Sequence, residues 1–325
     1  MARFPEPPKD DYALVFLSDT DQPLPESINP GTRYAYFKTI ARGGKCIIQS
    51  CKDLLLSRTI CYKSLRPELA DDAVEQQRFL REARVTSMLQ HPNTVPVYEL
   101  GRDSRKHYYF TMKLVHGYTL REVLDYRDRY DLTQLIDVVI QVAHALEFAH
   151  GHRVAHRDIK PENVLVGPFG EVLLLDWGLA KVWNSDGSAG DEPERRDGGP
   201  GGAGGMLQKP SSLTGQSKLQ GTISYMSPEQ ILEDPEIDYR TDLYSIGVVL
   251  YEILGGRPPA VGETVREVME QILEGKPAPP STHTSVKIPA LLEAVTMRCI
   301  ATDPADRLQS AGDLVRQLQE DWLHS

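Results

Sequence analysis

The stretch His156-Arg157-Asp158-Ile159-Lys160-Pro161-Glu162-Asn163 constrains this chain more than any other, because it sets an acid, a cation and an amide in one short loop. Transfer of a phosphoryl group needs an acid near the acceptor hydroxyl, a cation near the moving phosphate and an amide oxygen for a metal, all held rigidly. Asp158, Lys160 and Asn163 supply these at the H-R-D-x-x-x-x-N spacing. The loop follows TQLIDVVIQVAHALEFAH, in which Leu135, Val138, Val139, Val142 and Leu146 share one stripe and predict a long core helix. After it come a Gly-Pro-Phe-Gly turn, the strand-like EVLLL and then Asp176-Trp177-Gly178. An acid at a strand end there can chelate magnesium, and the glycine lets the chain turn sharply.

The rest of the chain divides by composition. Residues 1–31 carry six prolines and several acids, which suits an extended arm, although its Tyr-Ala-Leu-Val-Phe-Leu run has the pattern of a docking strand. Residues 34–65 favour strands, ADDAVEQQRFLREARVTSMLQ reads as an amphipathic helix ended by His91-Pro92, and TVPVYEL with HYYFTMKLV alternates like a hairpin. Beyond residue 150 the pattern is mostly helical, except for Asn184–Lys218, rich in Gly, Ser and charge, which reads as a flexible insertion. The net charge of −10 argues against nucleic acid or an anionic membrane as partner. Four cysteines without CxxC spacing point to a reducing cytoplasm and away from a zinc site, and nine histidines show no HExxH spacing. The apolar run around LYSIGVVLYEIL is too short and interrupted to span a bilayer, so no membrane segment is expected.

Downstream, GTISYMSPEQ, DLYSIGVVLYEILGGRPP and DPADR follow in order, and with them the chain resembles the eukaryotic-like Ser/Thr protein kinases of bacteria over about 290 residues, Thr32 to Trp322. The resemblance implies an α+β, bilobal protein-kinase-like fold. Its N-lobe, residues 32–115, would be a small five-stranded antiparallel sheet with one main helix, and its C-lobe, residues 116–325, would be larger and mainly helical. ATP would lie between them with Mg2+ or Mn2+. By the same resemblance Lys63 in ICYKSL grips the nucleotide phosphates and Glu82 in FLREAR pairs with it. Asp158 is the catalytic base, Lys160 the neutralising cation, and Asn163 and Asp176 the metal ligands. Asp242 braces the catalytic loop, and Glu229 with Arg307 forms a structural ion pair. Each has a plainer reading alone: a lysine in a strand is usually a solvated edge residue, and Glu82 lies in a charge-rich run. Their order within one pattern outweighs it. Trp177, where the family usually has phenylalanine, reads as a larger core plug, and His156 as a packing and hydrogen-bonding residue.

The nucleotide loop departs from the family's GxGxxGxV. In IARGGKCIIQSC the three glycine positions become Ala41, Gly43 and Cys46, with Gly44 beside the retained glycine. Ile40, Gly43, Gly44, Ile48, Cys61, Lys63, Met112, Leu114 and Leu165 would line the nucleotide site. Cys46 sets a side chain where the family has none, which is expected to weaken nucleotide affinity more than chemistry; the competing reading makes it a reactive thiolate beside Lys63. Two functions of different classes follow: an active kinase acting on protein substrates, or a pseudokinase scaffold. A small-molecule phosphotransferase is disfavoured by the SPE segment. Lys160 and Thr222 match the Ser/Thr branch, in which the threonine hydroxyl bridges the catalytic aspartate and lysine. Thr214, Ser217 and Thr222 are the candidate phosphosites, with Arg157 available to meet a phosphate. The sequence leaves the oligomeric state open.

Overall fold

Short strands joined by tight turns, Gly43-Gly44-Lys45 and then Leu54-Leu55-Leu56-Ser57, form a meander in which β1 (Tyr34–Arg42), β2 (Cys46–Asp53) and β3 (Arg58–Leu65) are successive antiparallel neighbours. The structure, a computed structural model, describes residues 32–183 and 221–320. After β3 the chain forms helix α1 (Ala73–Met88), then β4 (Val97–Arg102) and β5 (Tyr108–Met112), giving one five-stranded antiparallel sheet in the order β1-β2-β3-β5-β4. The helix starts at Ala73, later than the amphipathic pattern, because the Asp72 carboxylate accepts the N–H groups of Val74 and Glu75 and fixes its first turn. Phe79 and Ala83 on its buried face join Leu65, Ala70 and Phe110 in a small core between helix and sheet.

The second layer begins with β6 (Tyr118–Thr119) and α2 (Leu120–Leu124), followed by α3 (Leu132–Gly151), β7 (Val154–Ala155), β8 (Val164–Val166), β9 (Val172–Leu174) and β10 (Lys181–Val182). Then come α4 (Pro228–Ile231), α5 (Arg240–Gly255), α6 (Val265–Glu274), α7 (Ala290–Cys299) and α8 (Ala311–Leu318). The stripe predicted on α3 is buried throughout, from Leu135 to Leu146. Helix α5 is buried all round from Thr241 to Gly255, which an apolar helix requires at the centre of a bundle. Gly247 lets α7 approach it, since a Cβ there would lie 2.4 Å from Cys299 Cβ. The fold is therefore α+β and bilobal, a sheet lobe with one helix followed by a helical lobe. Among the described helices, the one long and apolar enough to cross a membrane by length and composition is α3, not the α5 stretch, and it serves as a core helix here.

Candidate active site between the two lobes

The inner face of the sheet carries the first cluster. Lys63 is opposite Ile48 on β2 and Phe110 on β5, and Cys61 is opposite Met112, so alternation puts Ile48, Cys61, Lys63 and Met112 on one side. Lys63 Nζ meets Glu82 Oε1 of α1 at 2.5 Å and Asp176 Oδ1 at 3.8 Å, with the Lys63 and Glu82 side chains 9% and 10% exposed. Burial alone would drive the lysine neutral, but Glu82 and Asp176 outweigh it and hold its pKa above the ordinary value. Burial pushes the Glu82 carboxyl above its ordinary value against the pull of the adjacent ammonium. Asp176 sits at φ 59 after β9, half exposed toward the cleft, and Lys63 holds its carboxyl below the usual range. A Cβ on Gly178 would stand 3.0 Å from Asp176 Oδ1, so glycine is what lets the chain fold back beside that carboxylate.

The second cluster hangs from α5. Asp242, fully buried, accepts the backbone N–H of His156 at 2.8 Å and of Arg157 at 2.8 Å, and contacts His150 Nε2 at 2.9 Å. Burial pushes its pKa up, but these donors prevail and hold it below the ordinary aspartate value. His156 Nε2 donates to the Leu175 carbonyl while its Nδ1 accepts the Asp158 N–H, which fixes one neutral tautomer and ties the loop to the strand leading into Asp176. Lys160 Nζ bonds both Asp158 oxygens at 2.8 Å, and Asn163 Nδ2 donates to the Asp158 carbonyl and Oδ2, both at 2.8 Å. Burial raises the Asp158 pKa despite Lys160. Leu175 N–H donates to the Asn163 carbonyl at 2.8 Å, so the two loops share one short ladder.

Trp177 is 2% exposed with its ring 4.6 Å from that of His156, a core plug beneath both clusters. Arg307, fully buried, forks onto Glu229 at 2.6 and 2.7 Å and also donates to three backbone carbonyls, which binds the SPE turn to the C-terminal helices. Ile40 is 53% exposed on β1, while Leu114 and Leu165 are half-buried where the lobes join. Neither Gly43 nor Gly44 is required by the hairpin's own packing: a Cβ on Gly43 would be 3.5 Å from the nearest atom, and one on Gly44 would meet nothing. The tip is thus left open for close approach by a ligand.

Two expectations are corrected. Cys46, opposite Leu65 on the same inner face as Ile48 and Lys63, is partly buried and packs against the core between sheet and α1, and burial pushes its thiol up to about 11 against the pull of Lys63, the reverse of a reactive thiolate. No hydrogen bond joins Thr222 to Asp158 or Lys160 among the described residues; the side chains that bond the Asp158 carboxylate are Lys160 and Asn163. Thr214 and Ser217 lie outside the described residues.

Several supporting residues were not singled out from the sequence. Lys45 at the hairpin tip pairs with Glu75 of α1 at 2.9 Å. Gly117 is demanded at the lobe junction, where φ is 154 and a Cβ would lie 2.4 Å from the Val166 carbonyl. Arg121 of α2 binds Glu252 at 2.7 Å, Glu162 at 3.0 Å and Tyr225 at 2.5 Å, joining α5, the loop of residues 156–163 and the segment before α4. The Gly in His-Gly-Tyr could have been noticed as a turn residue; the ion pairs span too many residues for any local pattern.

Asn163 and Asp176 fit a hard cation. Both Asn163 amide hydrogens point to Asp158, which leaves its oxygen free, and the Asp176 carboxylate faces the cleft. No group of three or more His, Cys, Asp or Glu forms a metal site among the described residues, so this centre would rely on ligand oxygens and water.

Comparison with known proteins agrees. Residues 34–323 match the protein kinase domain. A probable serine/threonine-protein kinase of Corynebacterium efficiens is 33% identical over 88% of this chain and 41% of its own length. Serine/threonine-protein kinase PknD of Protochlamydia amoebophila is 33% identical over 88% and 29%, and PknB of Mycobacterium leprae is 32% identical over 87% and 42%. The chain thus spans less than half the length of these relatives.

Proposed function

The chain belongs to the protein kinase family, and we propose that it is a serine/threonine protein kinase that transfers the γ-phosphate of ATP to hydroxyls of protein substrates. The observation that carries this reading is the simultaneous presence of the Lys63–Glu82–Asp176 cluster and the Asp158–Lys160–Asn163 cluster, joined through Leu175. Lys63, kept charged by Glu82, holds the nucleotide phosphates under the open Gly43-Gly44 tip, while Ile48, Cys61, Met112 and Leu165 supply an apolar bed for the base. Asn163 and Asp176 hold a divalent cation, magnesium or manganese, whose chemistry is to neutralise the phosphate oxygens. Asp158 accepts the proton of the acceptor hydroxyl, and Lys160 neutralises charge beside it.

Autophosphorylation at Thr214, Ser217 or Thr222 belongs to the same reading. The four free thiols, three of them buried, fit a cytoplasmic kinase region. A pseudokinase scaffold is the competing reading, and its motive, a crowded nucleotide loop, loses force because Cys46 is packed on the core. Transfer of labelled γ-phosphate to a generic protein substrate decides between them. Wild type should label in magnesium and lose the signal in excess EDTA, and Asp158→Ala should not label at all. No labelling by wild type with ATP bound would instead favour the scaffold.

A further inference from the structure

Two lysines of the sheet lobe reach α1, and they differ in how firmly they are held there. Their partners, Glu75 and Glu82, lie two turns apart on one face of the helix. Lys63 meets Glu82 in the interior, and that pair is fixed by its burial. Lys45 at the hairpin tip meets Glu75 at 2.9 Å with its own side chain 57% exposed. An exposed ion pair of this kind is worth about 1 kcal/mol or less, so the lysine leaves it at small cost. Glu75 is not stranded when it does. Arg78 still donates to the same carboxylate oxygen at 2.8 Å, and the first turn of a helix favours a negative charge.

The lysine stands on the phosphate side of the nucleotide bed. Along β3 the inner-face residues run from Cys61, opposite Met112, through Lys63 to Leu65, opposite Cys46. The next residue, Arg66, donates its N–H to the Lys45 carbonyl at 2.8 Å. Lys45 is therefore level with Arg66 and about 10 Å past Lys63, at roughly 3.3 Å per residue. A nucleotide with its base over Cys61 and Met112 and its phosphates at Lys63 points its far end toward this tip. The way is clear, since Gly43 and Gly44 carry no side chain between the tip and the cleft.

Charge favours the same exchange. The Cys46 thiol, next in the chain to Lys45, feels Lys63, Glu82, Asp176 and Glu75 together, so the tip shares one field with the cluster around Asp176. A terminal phosphate carries more charge than one carboxylate and offers three oxygens to an ammonium on a flexible stem.

We propose that Lys45 is a phosphate-binding residue of the nucleotide site, which leaves Glu75 to bond the terminal phosphate of ATP. The inference rests on the nucleotide-binding reading given above and names a side chain for it. Glu75 is the resting partner of the lysine and competes with the phosphate. With Ala41 and Cys46 at two of the three glycine positions, a side-chain cation at the tip adds to the grip of the backbone amides.

The test is binding by calorimetry in magnesium, with the β,γ-imido analogue of ATP and with AMP, so that no turnover is read. Lys45→Gln should weaken the analogue on the order of tenfold and leave AMP within about twofold. Glu75→Gln should tighten the analogue several-fold and leave AMP unchanged, because it frees the lysine. Equal loss for both ligands in Lys45→Gln would mean that the lysine only shapes the hairpin, and an analogue bound as tightly as by wild type would mean that it touches no phosphate; either overturns the proposal. Unchanged or weaker analogue binding in Glu75→Gln would overturn the exchange. A wild type that binds neither ligand would sink the nucleotide reading itself, whereas a wild type that binds the analogue with Lys45→Gln unaffected sinks this inference alone.

Discussion

Lys63 of β3 and Glu82 of α1 meet at 2.5 Å in the interior of the sheet lobe, and Asp176 stands 3.8 Å from the same ammonium. One cation therefore locks the helix to the sheet and the helix to the loop that follows β9. Its removal has two separable consequences. Lys63→Ala should abolish phosphoryl transfer, by at least about a hundredfold at saturating ATP, because the phosphate grip and the positioning of Asp176 go together. It should also leave Glu82 buried without a partner. The double variant with Glu82→Gln should therefore be more stable than the single one, with a coupling of about 3 kcal/mol in urea unfolding. Additive effects would show that the pair is not a unit.

The raised pKa of Asp158 sets a pH dependence. Burial opposes its ionisation, and a base must be ionised to accept a proton, so kcat/KM should fall on acidification through a pKa above the ordinary carboxylate range. Lys160 lowers that pKa, so Lys160→Ala should move the acidic limb toward higher pH as well as reduce the rate. A pH–rate profile carried down the acidic side from neutrality reads this directly. A limb that stays in place would mean that another group governs it.

Arg307 and Glu229 predict stability without chemistry. The guanidinium is fully buried with its donors on Glu229 and on the carbonyls of Arg240, Ala301 and Thr302. Arg307→Met should cost about 3–5 kcal/mol of unfolding free energy, because it strands a buried carboxylate and empties three carbonyls. Glu229→Gln should cost less, since the amide still accepts one bond. Equal stability of wild type and Arg307→Met would contradict the geometry.

Cys46 gives a prediction opposite to the one its position in the loop suggests. Because its side chain packs on the core between sheet and helix, Cys46→Gly together with Ala41→Gly should leave the KM for ATP within about twofold. It should lower stability by about 1 kcal/mol through lost packing and a freer backbone. With the thiol pushed up to about 11, little thiolate exists at neutral pH, and peroxide should inhibit wild type and the variant alike. A several-fold tighter KM in the glycine variant would restore the crowded-lid reading.

The groups gathered in each loop and the order of the elements were legible in the sequence alone. His156 to Asn163, Asp176 to Gly178 and the α3 stripe are each contiguous or periodic, so the groups within one loop and the buried face of one helix are fixed by local geometry. What it did not determine is which distant groups meet. His150 and Asp242 are 92 positions apart, Arg121 and Tyr225 are 104 apart, and Lys45 reaches Glu75 only because the hairpin tip closes over the start of α1. The direction of Cys46 is of the same kind: pleat parity assigns it to the inner face, but only the packing of α1 on that face makes it a core residue instead of a lid. Side-chain direction and long-range pairing are consequences of how sheet and helices close on one another, and that closure leaves no trace in any window short enough to read.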